Sequence, residues 1–322
     1  MKKRFLLLLL VLCLVCTDSV FWPPNKAAAE SEYPWAVSHV IYDVTYDAIL
    51  KLYLKIINGY KTKDYGRHDL FNDFVFWDLF VEDPAPQRTV RYIKNTLGFY
   101  IDDINQDGVD ELVILMTGGY IYEVFTMDEG RVRELIRAGG RYNCRRLNDN
   151  TFLRWCFRGA PDNSYEIWKM NGTDKVAFVE SYDKQTHGAT EIWSHSTSNP
   201  RTNSSSKKIT ISASKAEAWI RKQENNVLRK RFVPFAAFEK YPDDPWDLGV
   251  LAKDSKTTGS AKIRIRKEPS QKSKVVDTKR VGTYVKVLAK EDGYYKVRIG
   301  KKEGYVQEDF LIPVTWQESS DS

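Results

Sequence analysis

Gly259 to Pro313 reads GSAKIRIRKEPSQKSKVVDTKRVGTYVKVLAKEDGYYKVRIGKKEGYVQEDFLIP. Lys262–Arg266, Tyr284–Ala289, Tyr294–Ile299 and Gly304–Val306 alternate apolar and polar residues with a period of two. Turn clusters such as Lys267–Ser270 and Glu291–Gly293 separate them. Successive side chains in a strand point to opposite faces, so each run presents one apolar row and one polar row. Several short runs of this kind predict small antiparallel strands closing into a barrel.

The order of the pieces is specific. Arg264-x-Arg266 leads into a loop with Pro269-Ser270. Val281-Gly282-Thr283 precedes Val285-x-Val287, and Asp292-Gly293-Tyr294-Tyr295-Lys296-Val297 and Gly304-Tyr305-Val306 follow. Across these residues the segment resembles the bacterial SH3-like (SH3b) domain. The resemblance implies an attachment module on an exported bacterial protein rather than a catalyst. Arg264, Arg266, Tyr294, Tyr295 and Tyr305, with Tyr284 and Lys296, are the candidate ligand groove. Neighbours alternate faces, so at least one of Tyr294 and Tyr295 must pack inward. Tyr294 and Tyr305 are expected to be partly exposed.

Charge points the same way. Thr258 to Trp316 holds 14 Lys and Arg against 7 Asp and Glu, while the whole chain carries +6. The first 29 residues contribute about +3, so the remainder is slightly acidic. A basic barrel on an exported protein suits an anionic cell-wall polymer, peptidoglycan or a membrane surface, and not nucleic acid.

The N-terminus reads as an export signal. Met1-Lys2-Lys3-Arg4 is basic, Phe5–Leu12 opens an apolar run too short to span a bilayer, and Ala27-Ala28-Ala29 offers a cleavage site. The expected organisation is a signal peptide over 1–29, an α+β domain over 30–250, a linker over 251–258, the SH3-like barrel over 259–314 and a tail over 315–322. No second long apolar run follows, so no transmembrane segment remains after cleavage.

Within the body, Tyr42–Tyr60 has helical spacing and Phe71–Phe80 is dense in aromatic residues. From Tyr120 to Tyr182, β-rich runs spaced by turn residues predict an antiparallel meander. Ser212 or Ser214 caps a helix from about Lys215, with Glu217 completing a capping box for Ser214. The fold expected is thus helices plus a meander sheet, followed by a small all-β barrel.

Between two apolar runs lies Asp103-Ile104-Asn105-Gln106-Asp107-Gly108-Val109-Asp110-Glu111. This D-x-N-x-D-G-x-x-E pattern matches the first half of an EF-hand loop. Side-chain oxygens of Asp103, Asn105, Asp107 and Glu111 with the Val109 carbonyl could hold Ca2+ in a structural role. The twelfth position is Ile114 instead of Glu. The loop and its flanks resemble a domain of exported Gram-positive proteins. A hairpin turn that binds nothing is the competing reading.

Cys144 and Cys156 flank a strong turn and are candidates for a cross-strand disulfide, provided the register makes them face. His187, His195 and Glu191 are a weak zinc set. No H-E-x-x-H motif and no Cys–His pair is evident, so no catalytic residue is assigned. The expected function is an exported, non-catalytic protein held at the wall or surface by its barrel. The alternatives are a barrel-targeted wall hydrolase or a protein–protein interaction module.

Overall fold

The computed structural model describes residues 41–42, 44–59, 86–138, 142–159, 162–172, 175–187, 190–199, 208–252 and 261–314. The expected signal peptide, the aromatic run Phe71–Phe80, residues 253–258 of the expected linker and the tail from 315 lie outside the described residues.

The body begins with β1 (Ile41–Tyr42), helix α1 (Tyr46–Gly59) and helix α2 (Pro86–Thr96). The meander follows: β2 (Leu97–Asp102), β3 (Glu111–Met116), β4 (Tyr120–Asp128), β5 (Arg131–Arg137), β6 (Tyr142–Arg146), β7 (Thr151–Gly159), β8 (Asp162–Met170), β9 (Val176–His187), β10 (Thr190–Ser196) and β11 (Ile209–Ile211). Helix α3 (Ala213–Asn225), β12 (Val233–Pro234) and helix α4 (Phe235–Lys240) complete it. These strands form one antiparallel sheet in the order β11-β10-β9-β8-β7-β6-β4-β3-β2-β12, with β5 pairing β4 and β1. The body is therefore mostly antiparallel sheet with few helices, and the α+β expectation holds in part.

Both faces of the β2–β4 region are covered. On one, Tyr53, Phe99, Phe125, Phe235 and Phe238 join α1 and α4 to the sheet. On the other, Tyr100, Val113, Val124, Leu135, Phe152 and Trp168 pack together. Double coverage explains the near-continuous apolar runs of β2 and β3, where strict alternation is lost. The buried stripe of α1 is Ile49, Leu50, Tyr53, Ile56 and Ile57. Tyr53 stacks on Phe235 with ring centroids 5.6 Å apart. Helix α2 starts at Pro86, a residue whose fixed φ suits a first turn. Helix α3 is capped by Ser212, whose side chain accepts from Lys215 N; the Ser214–Glu217 box does not form the cap. Gly98 lets β12 close on β2, because a Cβ there would lie 2.1 Å from the Val233 carbonyl oxygen.

The second sheet has the order β15-β14-β18-β17-β16-β13-β19. Its members are β13 (Leu248–Leu251), β14 (Lys262–Arg266), β15 (Val275–Arg280), β16 (Tyr284–Glu291), β17 (Tyr294–Ile299), β18 (Lys302–Gln307) and β19 (Leu311–Pro313). Ile263, Ile265, Val285, Val287, Tyr295, Val297 and Val306 fill its interior. One boundary is corrected. Leu248–Leu251 was expected to end the body and start the linker, yet it pairs with both β16 and β19. β13 and β14 therefore belong to one sheet, on either side of the expected linker in the sequence. Four residues are too few for periodicity to assign them to one sheet or the other.

The two parts are also docked. Leu248 belongs to the body's core, and Tyr284 packs against it. The Tyr284 carbonyl accepts from Lys240 Nζ at 2.7 Å and Tyr241 Oη at 3.2 Å. Lys286 pairs with Asp244 at 2.6 Å.

Candidate functional site

The outward face of the barrel gathers part of the expected groove. Arg266 on β14 is directly opposite Tyr305 on β18, which is opposite Lys296 on β17. Arg264 lies two residues along β14 on the same face and is exposed. Arg266 Nη1 donates to the Ser273 carbonyl at 2.7 Å, which fixes the guanidinium against the barrel wall. Tyr305 is half-buried, and its hydroxyl donates to Glu291 at 3.3 Å. The backbone that permits this contact between strands is Gly304: a Cβ there would meet Ile265 Cγ2 at 2.6 Å and the Arg266 carbonyl at 2.7 Å.

The two neighbouring tyrosines depart from expectation. Tyr295 is 5% exposed and packs in the barrel interior, as one of the pair had to. Tyr294, opposite Gln307, is on the outward face yet only 9% exposed. Register sets the face of a side chain but not what lies over it. The structure thus brings together Arg264, Arg266, Lys296 and Tyr305, and withdraws Tyr294 and Tyr295 from direct contact with a ligand.

The acidic loop joins β2 to β3. Asp103 accepts from Asp107 N and Gly108 N at 3.1 and 3.0 Å. Asn105 Oδ1 accepts from Asp107 N at 3.2 Å, and Asp107 Oδ1 accepts from Val109 N at 2.9 Å. Gln106 and Gly108 take positive φ, at 61° and 87°, which curls the chain around these side chains. Glu111 is fully buried and turns away from the set: it accepts from Ile104 N at 2.8 Å and from the Thr126 hydroxyl at 3.0 Å. Burial, with Asp107 and Asp103 nearby, pushes its carboxyl up to about 7. Among the described residues no three His, Cys, Asp or Glu side chains come together as a metal-holding group. As arranged, Asp103, Asn105 and Asp107 accept from amides of their own loop, Val109 N among them, while Glu111 faces Ile104 N and Thr126.

Cys144 and Cys156 are free, buried thiols. Cys144 lies opposite Arg154, and Cys156 opposite Tyr142. They are diagonal on the same face, a separation of about 7–8 Å that a disulfide does not span. Burial pushes the Cys144 thiol up to about 12, so it is no nucleophile at neutral pH. His195 Nε2 meets Glu180 at 2.9 Å, while Glu191 pairs with Lys184. His195 and Glu191 of the weak zinc set are thus each engaged with another partner, and the His187 side chain lies outside the described ones.

A second feature escaped the sequence reading. An open cleft of about 570 Å³ is lined by Asp102, Arg146, Asn150, Leu228, Arg229, Lys230 and Arg231. Arg146 Nη1 donates to Asp102 at 2.5 Å and Nη2 to Asn150 at 2.6 Å. Lys230 also pairs with Asp102 and lies 5.2 Å from the centre of the Tyr100 ring. Burial acts against the Asp102 charge, but the hydrogen bonds from Lys230 and Arg146 outweigh it and hold the carboxyl below its usual range. These residues come from three distant segments, so no local motif announces them.

Comparison with known proteins bears on the barrel. The model of the bacterial SH3 domain matches residues 261–312. A search of curated proteins gives no match. The chain carries a bacterial SH3 domain, a module whose members commonly bind cell-wall peptidoglycan. No described helix is long and apolar enough to cross a membrane.

Proposed function

We propose that this is an exported, non-catalytic bacterial protein held at the cell wall by its C-terminal barrel. The match of the bacterial SH3 domain to residues 261–312 carries the reading. The charge balance supports it, with 14 cationic against 7 anionic residues from Thr258 to Trp316. So does the outward face, where Arg266 and Lys296 flank Tyr305 and Arg264 lies two residues along β14, a cation-and-aromatic surface for an anionic glycan or peptide. Surface attraction of this kind is screened by salt. The leader residues, basic and then apolar, support export. The non-catalytic half rests on the raised Cys144 thiol and the engagement of His195 with Glu180.

The test uses the full chain, because β13 lies upstream of the matched segment and belongs to the barrel sheet. Purified sacculi should retain the protein at low salt and release it at high salt. Arg264→Glu with Lys296→Glu should weaken retention. Absence of retention at low salt would sink the wall-binding reading, and a lytic band on wall-substrate zymography would overturn the non-catalytic one. Retention by an immobilised protein fraction and not by sacculi would select the protein-interaction alternative.

A further inference from the structure

We propose that the cleft between the end of β6 and the segment 228–231 binds a phosphate-bearing ligand. The proposal concerns the body of the chain and stands apart from wall binding by the barrel.

Its walls carry Arg146, Arg229, Lys230 and Arg231 against a single carboxylate, Asp102. That concentration of positive charge sits on the part of the chain that is otherwise slightly acidic. Surface charge scatter does not account for it, because the geometry is built. Leu228 N donates to the Arg146 carbonyl at 2.9 Å, Asn148 N donates to the Asn226 carbonyl at 2.9 Å, and Leu147 bridges Val227. Val233 then pairs with Phe99 on β2. The segment carrying Arg229, Lys230 and Arg231 is pinned at both ends beside β6.

At the base lies Arg146, 5% exposed. Two of its three nitrogens are bonded within the site, and its Nε has no partner. Asp102 is already shared between Arg146 and Lys230. Arg229 is exposed, and no carboxylate of the described residues pairs with it. Arg231 apart, lining charge from Arg146, Arg229 and Lys230 exceeds what Asp102 neutralises by two. A lone carboxylate leaves half of that excess unmet, whereas a phosphate dianion matches it. Guanidinium forks suit phosphate oxygens by bidentate, charge-assisted bonds. The cleft, open to solvent and about 570 Å³, has room for more than a bare ion.

Two sources share this chemistry: a free phosphorylated small molecule and a short run of a phosphodiester polymer. Isothermal titration of the full chain at low salt, with inorganic pyrophosphate and separately with a glycerol-phosphate oligomer, distinguishes them. Tighter binding of pyrophosphate assigns the first source, and tighter binding of the oligomer the second. In either case Arg229→Ala with Arg231→Ala should weaken binding about tenfold or more, from the loss of charge-assisted bonds. Lys55→Ala with Lys215→Ala removes the same charge from exposed positions of the body outside the cleft and should leave the affinity unchanged. A melting curve confirms that each variant is folded. Absence of heat with both probes overturns the proposal. So does equal weakening by the two double variants, which would mean general charge attraction.

Discussion

Glu111, Glu123, Glu134, Arg154, Glu166 and Asp183 are all nearly or fully buried in the body's sheet. The barrel buries aliphatic side chains and two tyrosines, and among its described residues no charged group is buried. The difference is physical as well as compositional. An apolar interior is stabilised in proportion to its area and asks little of geometry. A buried charge contributes only while its partner is in place, and removal of the partner costs more than the pair itself is worth. The body should therefore be fragile towards single polar substitutions and towards pH, and the barrel towards changes of volume.

The largest expected effect is in the body. Arg154 donates to Glu166 at 2.7 Å, and its guanidinium lies 4.1 Å from the centre of the Tyr142 ring. Glu166 also accepts from Trp168 Nε1 at 3.0 Å, and Ser164 donates to Asp183 at 2.7 Å. Arg154→Ala should cost about 3–5 kcal/mol, measured by urea denaturation, because it strands Glu166. The comparison breaks if the loss is under 1 kcal/mol.

In the barrel the counterpart is steric. Gly304→Ala places a Cβ against the Arg266 carbonyl and Ile265. A loss of about 1–3 kcal/mol is expected from overpacking. Amide exchange should report it on β14 and β18 while β7 and β8 stay protected. Equal loss of protection in both sheets would mean that β13 and Leu248 couple the two parts into one folding unit.

A shift of pH separates the sheets without mutation. Glu123 lies beside Glu134 and Arg137 and accepts from the Tyr53 hydroxyl. Burial first, then the Glu134 charge, raises its carboxyl to about 8, as burial raises Glu111 to about 7. A folded-state pKa above the ordinary 4.5 means that the native state holds the proton more tightly. That stabilisation is complete below about pH 4.5 and is lost as pH rises through 7 and 8. Thermal melts between pH 5 and 8.5 should show a decline on the order of 1–3 kcal/mol in the body. Glu123→Gln should flatten part of it. A profile unchanged in Glu123→Gln would remove that residue from the account.

The same contrast governs what could be read in sequence. The barrel strand Lys262–Arg266 has one buried face and alternates cleanly, and Tyr294–Ile299 alternates from Tyr295 to Arg298, so both were legible. The mostly exposed strand Val275–Arg280 shows little alternation. Four-residue β13 carries no period at all, and turn-like residues after it suggested a linker. In the body, turn spacing revealed the meander, and the Asp103–Glu111 pattern revealed a hairpin. Which way Glu111 points was not legible, because it depends on Thr126 across the sheet. Nor was the basic cleft: Asp102, Arg146 and Arg229 meet only through pairing between distant strands.

The smallest effect concerns that hairpin, where body and barrel differ least because both use short polar turns. Asp103 holds two amides of its own loop. Its loss resembles the loss of a helix cap, about 0.5–2 kcal/mol. Calorimetry of wild type and Asp103→Ala, each with and without millimolar calcium, separates capping from metal binding. The self-capped turn requires a lower melting temperature for the variant, equal in the two buffers, and no calcium response in the wild type. To join Asp103 and Asp107 around an ion, Glu111 would have to give up Ile104 N and Thr126. A calcium-dependent rise confined to the wild type would show that it does, and would return the loop to the metal-binding reading of its sequence.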